Sequence, residues 1–368
     1  MKETFSVLIP DGDSKFALFT AHCLSCYPNV RLHVLSREPL APIRFSRHQR
    51  SFTYKQTNPT DGSHLETLAA LVKKHQIDVL LPTDTEAIAF ANANLEALSG
   101  LLALPPLPDP KSFEIANNKW LLAQFLEEHG FPSQRSILVT DDGLFEQNLR
   151  NLGFPALLKP ITARDGDGIE RFEHLSDLQN YFTQHGLKPY LGHFLVQELV
   201  PGPVVGLNIL SRAGEVLACT IQQGVVPNAK KYAAAGAIKF IKNPDFSTMT
   251  HKFVASLLRS GYANVDTICD SQNQLRIIDV NARFWGSLRG SLAAGVNFPY
   301  LTCLAALDIP FPAPDYELIR YFHPQTAMQE KWSRLSGKSV DQDLSFNEMG
   351  MSFLLSDPLA EVLRARSQ

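Results

Sequence analysis

The stretch NVDTICDSQNQLRIIDVNARFWGSL, residues 264 to 288, constrains this chain more than any other. Two apolar, β-branched runs flank the polar turn Asp270-Ser271-Gln272-Asn273, which is a hairpin signal. With the turn centred between Gln272 and Asn273, Asp266 falls directly opposite Asp279. Facing carboxylates have Cβ atoms about 4.5–5.5 Å apart and repel unless a cation lies between them. Asn281, two residues beyond Asp279, shares their face. Two acids and an amide oxygen at one spot suit Mg²⁺, a hard cation that takes few protein ligands and leaves room for phosphate oxygens. The competing reading is a solvated strand face. Against it stand the apolar neighbours Val265, Ile268, Ile277, Ile278 and Val280, which make this an interior hairpin. A slip of one residue would put the acids on opposite faces. Arg283 occupies the next position on the same face, where a guanidinium can clamp charge building up on a transferring phosphoryl group.

The 368 residues suffice for two or three domains. Hydrophobic residues make up 45%, so wholesale disorder is excluded. The net charge is -3 with no basic or acidic tail, which gives nucleic-acid or anionic-membrane binding no electrostatic support. No apolar run approaches the ~20 residues of a membrane helix. The opening MKETFSVLIPDGDSK turns polar too soon for a secretory leader. Five scattered cysteines suit a reducing compartment, so a cytoplasmic protein is expected.

Strands at Phe5–Ile9, Arg31–Leu35 and Ile77–Leu81 alternate with helices at Ser14–Ser25, Leu65–His75 and Glu86–Leu98. That alternation predicts a parallel sheet covered on both faces. Leu104-Pro-Pro-Leu-Pro-Asp-Pro110 holds four prolines and reads as a stiff connector at a domain boundary. Beyond it the reading is mixed: a helix over 117–129, strands at 136–139 and 154–159, helices at 143–152 and 175–185, and a strand at 194–200. A strand-rich region leads to a helix near 249–260, then the hairpin and a helix from Ser287. The last residues, from Phe311, have weak periodicity and receive no assignment.

Lys159 ends the apolar run Phe154-Pro-Ala-Leu-Leu158, and Pro160 is expected to stop that strand at once. The loop Ile161-Thr-Ala-Arg-Asp-Gly-Asp-Gly168 has two glycines whose backbone N–H groups could approach phosphates. Lys119 opens the helix of NNKWLLAQFLEEHG. Taken in order, IDVLLP, NNKWLLAQFLEEHGFPSQRS, FPALLKPITARDGDGI, FLVQELVPG and DVNARFWGS resemble the ATP-grasp superfamily of ligases, over residues ~5 to ~308.

The resemblance implies mixed α/β and α+β architecture: a Rossmann-like preATP-grasp domain at 1–108, then a two-lobed ATP-grasp domain at 109–310. Its mobile lid would be 135–196 and its metal-binding lobe 197–310, with 311–368 an extension of unassigned role. The resemblance also implies ATP and Mg²⁺ (or Mn²⁺) as cofactors. Lys119 and Lys159 match the family's nucleotide-binding lysines, and Gln197, Glu198, Leu199 and Val200 match its adenine-binding hinge. Asp266, Asp279 and Asn281 match the metal triad, and Arg283 the arginine of the acyl-phosphate step. Two departures stand out. No acid follows the hinge glycine in Gly202-Pro-Val-Val-Gly206 to hold the ribose, and Asp279 stands where a glutamate is usual.

The implied activity is ATP-dependent ligation of a small-molecule carboxylate to an amine, with release of ADP and phosphate. The partners are then those two substrates, with a homodimer admitted and neither nucleic acid nor membrane expected. Alternatives are a bicarbonate-using carbamoyl-phosphate or carboxyamino-type synthetase, and a nucleotide-binding regulatory protein without turnover. A dehydrogenase is a poor reading, because Pro10-Asp-Gly-Asp-Ser14 lacks GxGxxG. Weaker signals are Cys23-Leu-Ser-Cys26 beside His22, a zinc-like spacing without a second pair, and Lys230-Lys231 in a loop. Arg289, Tyr300 and His323 are weak candidates for substrate contact on position alone, and Cys303 reads as core.

Overall fold

The computed structural model describes residues 4–163, 166–228, 230–272, 274–327 and 348–366. Asn273 of the expected turn, Arg164 and Asp165 of the glycine loop, and part of the C-terminal extension lie outside them.

Three sheets organise the chain. The first contains β1 (Phe5–Ile9), β2 (Val30–Ser36), β3 (Ser51–Tyr54) and β4 (Val79–Leu80), parallel and in the order β3-β2-β1-β4. Buried on both faces, β1 reads as an unbroken apolar run, as parallel strands do. The edge strand β3, SFTY, has no such run and was not foreseen. The expected helix over 86–98 is two, Thr85–Ala93 and Leu95–Ser99, parted at Asn94. The proline-rich connector ends sooner than expected. Pro110 opens the helix Pro110–Asn117, where a missing N–H costs nothing, and Asp109 caps it by accepting from the Ser112 N–H.

The second sheet has β5 (Ser136–Leu138), β6 (Ala156–Pro160), β7 (Glu170–Phe172) and β8 (Phe194–Glu198), in the antiparallel order β5-β8-β6-β7. Its core, which includes Val139, Phe145, Leu158 and Val196, is its own. Pro160 ends β6, as expected. It is the strand's last residue, paired with Phe194, a terminal position where a missing donor is tolerated.

The third sheet is antiparallel, with β9 (Val204–Arg212), β10 (Glu215–Val226), β11 (Ala237–Phe240), β12 (Gly261–Cys269), β13 (Leu275–Asn281) and β14 (Arg320–Phe322) in the order β13-β12-β9-β10-β11-β14. Helices Lys119–Glu128 and Pro244–Ser256 share its core. Phe16, Ala21 and Val34 of the N-terminal region pack in one cluster with Trp285, Leu288 and Phe298. The two ends of the sequence therefore share a core, and the hairpin sheet is seated against the first sheet.

Candidate active site

The hairpin brings the expected acids together by a route the sequence did not suggest. Cys269 pairs with Leu275 and Thr267 with Ile277, so the loop holds an odd number of residues, Asp270 to Gln274, and not an even one. The Asp270 carboxylate builds that loop by accepting from the N–H groups of Gln272 and Gln274 and from Arg276 Nε. A bulge at Ile278 then shifts the register by one, and Asp266 pairs with Asp279 and Asn264 with Asn281. Without the bulge the two carboxylates would point to opposite faces.

Behind the acids lies a polar floor that sequence reasoning missed. The Asn264 amide donates to Asn208 Oδ1 at 3.1 Å, and the Asn208 amide donates to Thr220 Oγ1 at 3.0 Å and Gln222 Oε1 at 3.2 Å. Gln222 in turn donates to Ser287 Oγ at 2.7 Å. Gly206 gives this floor room: a Cβ would come 3.1 Å from Asn264 Nδ2 and 3.2 Å from Gln222 Nε2, a tight fit. The signal was available, since Gly206/Asn208 and Thr220/Gln222 alternate at the strand period of two.

Of the two expected lysines, Lys119 reaches an acid directly and Lys159 feels Asp279 through space. Lys119, the first residue of its helix after the cap Asn118, places Nζ 3.3 Å from Asp279 Oδ1 and donates to Ala163 O at 2.9 Å. Lys159 is 6% exposed and donates to Gln197 Oε1 at 2.6 Å. Burial lowers the Lys159 ammonium to about 8, with Lys119 adding to the fall and Asp279 opposing it. Asp266 is raised to about 7, first by burial and then by Asp279, against Arg283, Asn264 and Lys119. A carboxyl so displaced marks a site short of positive charge. Asp266, Asp279 and Asn281 are oxygen donors only, which fits a hard divalent cation.

Arg283 is buried. Its Nη2 donates to Asn281 Oδ1 at 2.9 Å and its Nη1 to Phe284 O at 2.8 Å, and the guanidinium lies 4.5 Å from the centroid of Phe16. Its Nε stands 3.4 Å from Asp84 Oδ1. Asp84 is held by Asp11, which accepts from the Asp84 N–H at 2.8 Å and from Thr83 Oγ1 at 2.8 Å. Burial raises the Asp11 carboxyl to about 7 despite the Thr83 hydrogen bond. The first sheet thus reaches the site through Asp11, Thr83 and Asp84. The segment Pro82-Thr-Asp84 after β4 was the signal, and it passed unread.

In the expected hinge, the Gln197 side chain is committed to Lys159 and to Ser136 Oγ. Glu198 accepts from Arg135 Nε at 3.1 Å. The Leu199 N–H donates to Pro155 O at 2.9 Å, so Val200 has the hinge N–H that no described group takes. The glycine loop packs on the 230–232 segment: Lys230 Nζ meets Asp167 Oδ1 at 2.5 Å, and a Cβ on Gly166 would come 2.9 Å from Lys231 O. The position-only candidates fall elsewhere. Arg289 is buried on Glu361, His323 is half-buried with its ring edge-on to Tyr321, and Tyr300 stacks on Tyr27 with centroids 3.5 Å apart. Cys23 is buried and Cys26 exposed, which leaves the zinc spacing without a shared centre.

Residues 191–323 match the family described as "ATP-grasp in the biosynthetic pathway with Ter operon". The formate-dependent phosphoribosylglycinamide formyltransferase of Mannheimia succiniciproducens is 28% identical over 175 residues, 46% of this chain and 42% of that protein. The chain therefore matches less than half the length of that curated relative. Among solved structures, N5-carboxyaminoimidazole synthetase from Staphylococcus aureus, complexed with ADP, has a TM-score of 0.68 at 15% identity, covering 96% of each chain. An L-amino acid ligase from Bacillus licheniformis has a TM-score of 0.59 at 17% identity, covering 84% of this chain and 75% of its own. The chain thus resembles the ATP-grasp family by sequence over residues 191–323, and it shares the fold of the carboxyaminoimidazole synthetase over most of its length.

Proposed function

We propose that this chain is an ADP-forming carboxylate–amine ligase. The observation that carries the proposal is the convergence of Asp266, Asp279 and Asn281 with Lys119, Lys159 and Arg283 across two sheets. The names of the relatives, a formate-dependent formyltransferase and an amino acid ligase, support the same class of chemistry.

ATP is held from both sides. The hinge 197–200 flanks the adenine, with the Val200 N–H as donor, while Lys119 and Lys159 orient the phosphates. Near pH 7 Lys159 carries its charge, since its ammonium titrates at about 8. No acid follows Gly202, so the ribose depends on contacts other than the usual carboxylate. Asp266, Asp279 and Asn281 would hold Mg²⁺ or Mn²⁺, which supplies neutralisation of the phosphate charge when bound.

Arg283 faces the transferring phosphoryl group and stabilises the charge that spreads over its oxygens. A substrate carboxylate oxygen attacks the γ-phosphorus, the bond to ADP breaks, and an acyl phosphate forms. The amine then attacks the acyl carbon, the C–O bond to phosphate breaks, and inorganic phosphate leaves with the amine proton. The second sheet, with its separate core, serves as the lid that excludes water from the acyl phosphate. On this reading the lid is 135–196, between a leading domain at 1–108 and a metal-binding lobe at 197–310. No described helix is long and apolar enough to cross a membrane.

The test is incubation with Mg-ATP, hydroxylamine and pooled carboxylates, following hydroxamate and ADP together. Hydroxamate that vanishes in Asp279→Ala supports the ligase. Formation of AMP in place of ADP sinks the acyl-phosphate route.

A further inference from the structure

A cavity of about 180 Å³ opens at the C-terminal edge of the first sheet, walled by residues that follow β1, β2 and β4. In the order β3-β2-β1-β4, β1 has β2 on one side and β4 on the other. The cavity sits where the chain's direction of winding reverses, the crevice in which open parallel sheets take ligands.

Its charge is one-sided. Asp13, Asp84 and Glu86 line it with a single guanidinium, Arg37. That guanidinium is engaged on both sides, with Nη2 3.0 Å from Asp13 Oδ2 and 2.9 Å from Glu86 Oε2. Two carboxylates on one cation leave Arg37 a poor receptor for another anion. His64 adds no compensating charge at pH 7, because burial lowers its imidazole. The buried Asp11 lies behind the same wall. Arg283 offsets one acid through Asp84, and the surplus remains negative. Phe90, Ala87 and Pro59 give an apolar side.

We infer that the amine substrate of the proposed ligase is a cationic molecule with a short apolar body, seated in this crevice, and that phosphorylated or carboxylate-rich amines are excluded. The inference rests on the ligase reading and adds the class of the acceptor. Asp84 makes the connection: it lines the cavity, its Oδ2 accepts from Ser14 Oγ at 3.2 Å and its Oδ1 stands 3.4 Å from Arg283 Nε, so an amine in the crevice is beside the group assigned to the acyl phosphate. Opposite charges across a crevice also raise the rate of encounter, and salt weakens the effect.

The experiment uses the full chain with Mg-ATP, pooled carboxylates and amines sorted by charge. 1,4-Diaminobutane and L-alaninamide form the cationic set, O-phosphoethanolamine and L-glutamate the anionic set. ADP release is expected to be at least about tenfold faster with the cationic set, a difference that shrinks with added salt. In Asp13→Asn/Glu86→Gln, where Arg37 loses both partners, the preference should invert. The exposed single substitution Glu86→Gln, which spares the fold, should narrow it. Faster ADP release with O-phosphoethanolamine overturns the inference and leaves the ligase standing. If no amine and no hydroxylamine gives ADP, the ligase reading fails. Binding of 1,4-diaminobutane against O-phosphoethanolamine, by ligand-observed NMR, then judges the crevice: tighter diamine binding supports a cation site, and the reverse order overturns it.

Discussion

The Asp84 carboxylate lies 3.4 Å from Arg283 Nε, so a residue of the first sheet sets the position of a guanidinium that belongs to the hairpin sheet. Asp84 is itself fixed twice over. Its N–H donates to Asp11, and its side chain caps the helix Thr85–Ala93 by accepting from the Thr85 N–H at 2.7 Å. Asp84→Asn keeps the cap and removes the charge. Turnover should fall about 10- to 100-fold while the KM for ATP changes little, because the contact lies beyond the nucleotide. Equal losses in both parameters would mean that Asp84 shapes the nucleotide site instead of Arg283.

On the proposed reading, Lys159 would give ATP binding a pH dependence whose sign follows from its titration. Its ammonium is brought down to about 8 chiefly by burial, so it is charged below that pH and neutral above it. ATP affinity, measured by calorimetry from pH 6.5 to 9.5, should weaken as pH rises through the titration. Bound phosphates stabilise the ammonium and move the midpoint upward in the complex. Lys159→Met should bind weakly and with a flat profile. A wild-type profile that is already flat would mean that the phosphates do not meet this lysine.

Asp266 makes the cation-free protein sensitive to pH. An unperturbed aspartate titrates at 3.8, and Asp266 in the fold at about 7. The unfolded chain releases this proton first. The stability contributed is full below about pH 4 and is lost as pH rises through 7. Asp266→Asn should therefore stabilise the cation-free protein at pH 8 by roughly 1–3 kcal/mol and by less at pH 5. With millimolar Mg²⁺ the order should reverse, since the variant loses a ligand. Thermal denaturation at both pH values, with and without Mg²⁺, reads all four conditions.

Much of this was legible because strand and helix periods report burial directly. The apolar run Phe5–Ile9 and the cap Asn118 before Lys119 each declare their element without reference to distant residues. The pairing of Asp266 with Asp279 was also foreseen, yet two local irregularities stood behind it. An even turn was assumed, and the odd loop and the bulge at Ile278 offset one another. Neither has a compositional signature, because a bulge is chosen by twist and neighbouring strands. What could not be read was contact between remote segments. Asp84 and Arg283 lie 199 positions apart, and nothing local in either sequence names the other. The stretch beyond Phe311 was opaque for a related reason: its helix Pro358–Arg366 buries Glu361 against the remote Arg289 as well as Ala360 in the core.

That partner yields the last prediction. Glu361 is 2% exposed and accepts from Arg289 Nη1 at 2.6 Å, with Arg364 Nη2 at 3.1 Å on its other oxygen. Arg289 also touches His22, whose Nδ1 lies 3.4 Å from Nη1. A guanidinium can only donate, so Nδ1 accepts and the His22 Nε2–H donates to Asp357 at 3.3 Å, a tautomer assigned from the network. The His22–Asp357 hydrogen bond and the Arg289–Glu361 pair together form a clamp that fastens the C-terminal helix to the helix Lys15–Leu24. Glu361→Gln strands Arg289, which is 1% exposed, and should cost about 3–5 kcal/mol. Burial works to raise the Glu361 carboxyl, but Arg289 and Arg364 prevail and hold it below 4.5. The clamp's contribution is thus complete above that pH and fades as pH falls through the lowered value. Denaturant titrations at pH 7 should separate Glu361→Gln from the triple variant Arg289→Met/Glu361→Met/Arg364→Met, which removes all three charges of the cluster and recovers most of the loss. Equal destabilisation in the two would show that packing of the helix, and not the ion pair, holds the chain end in place.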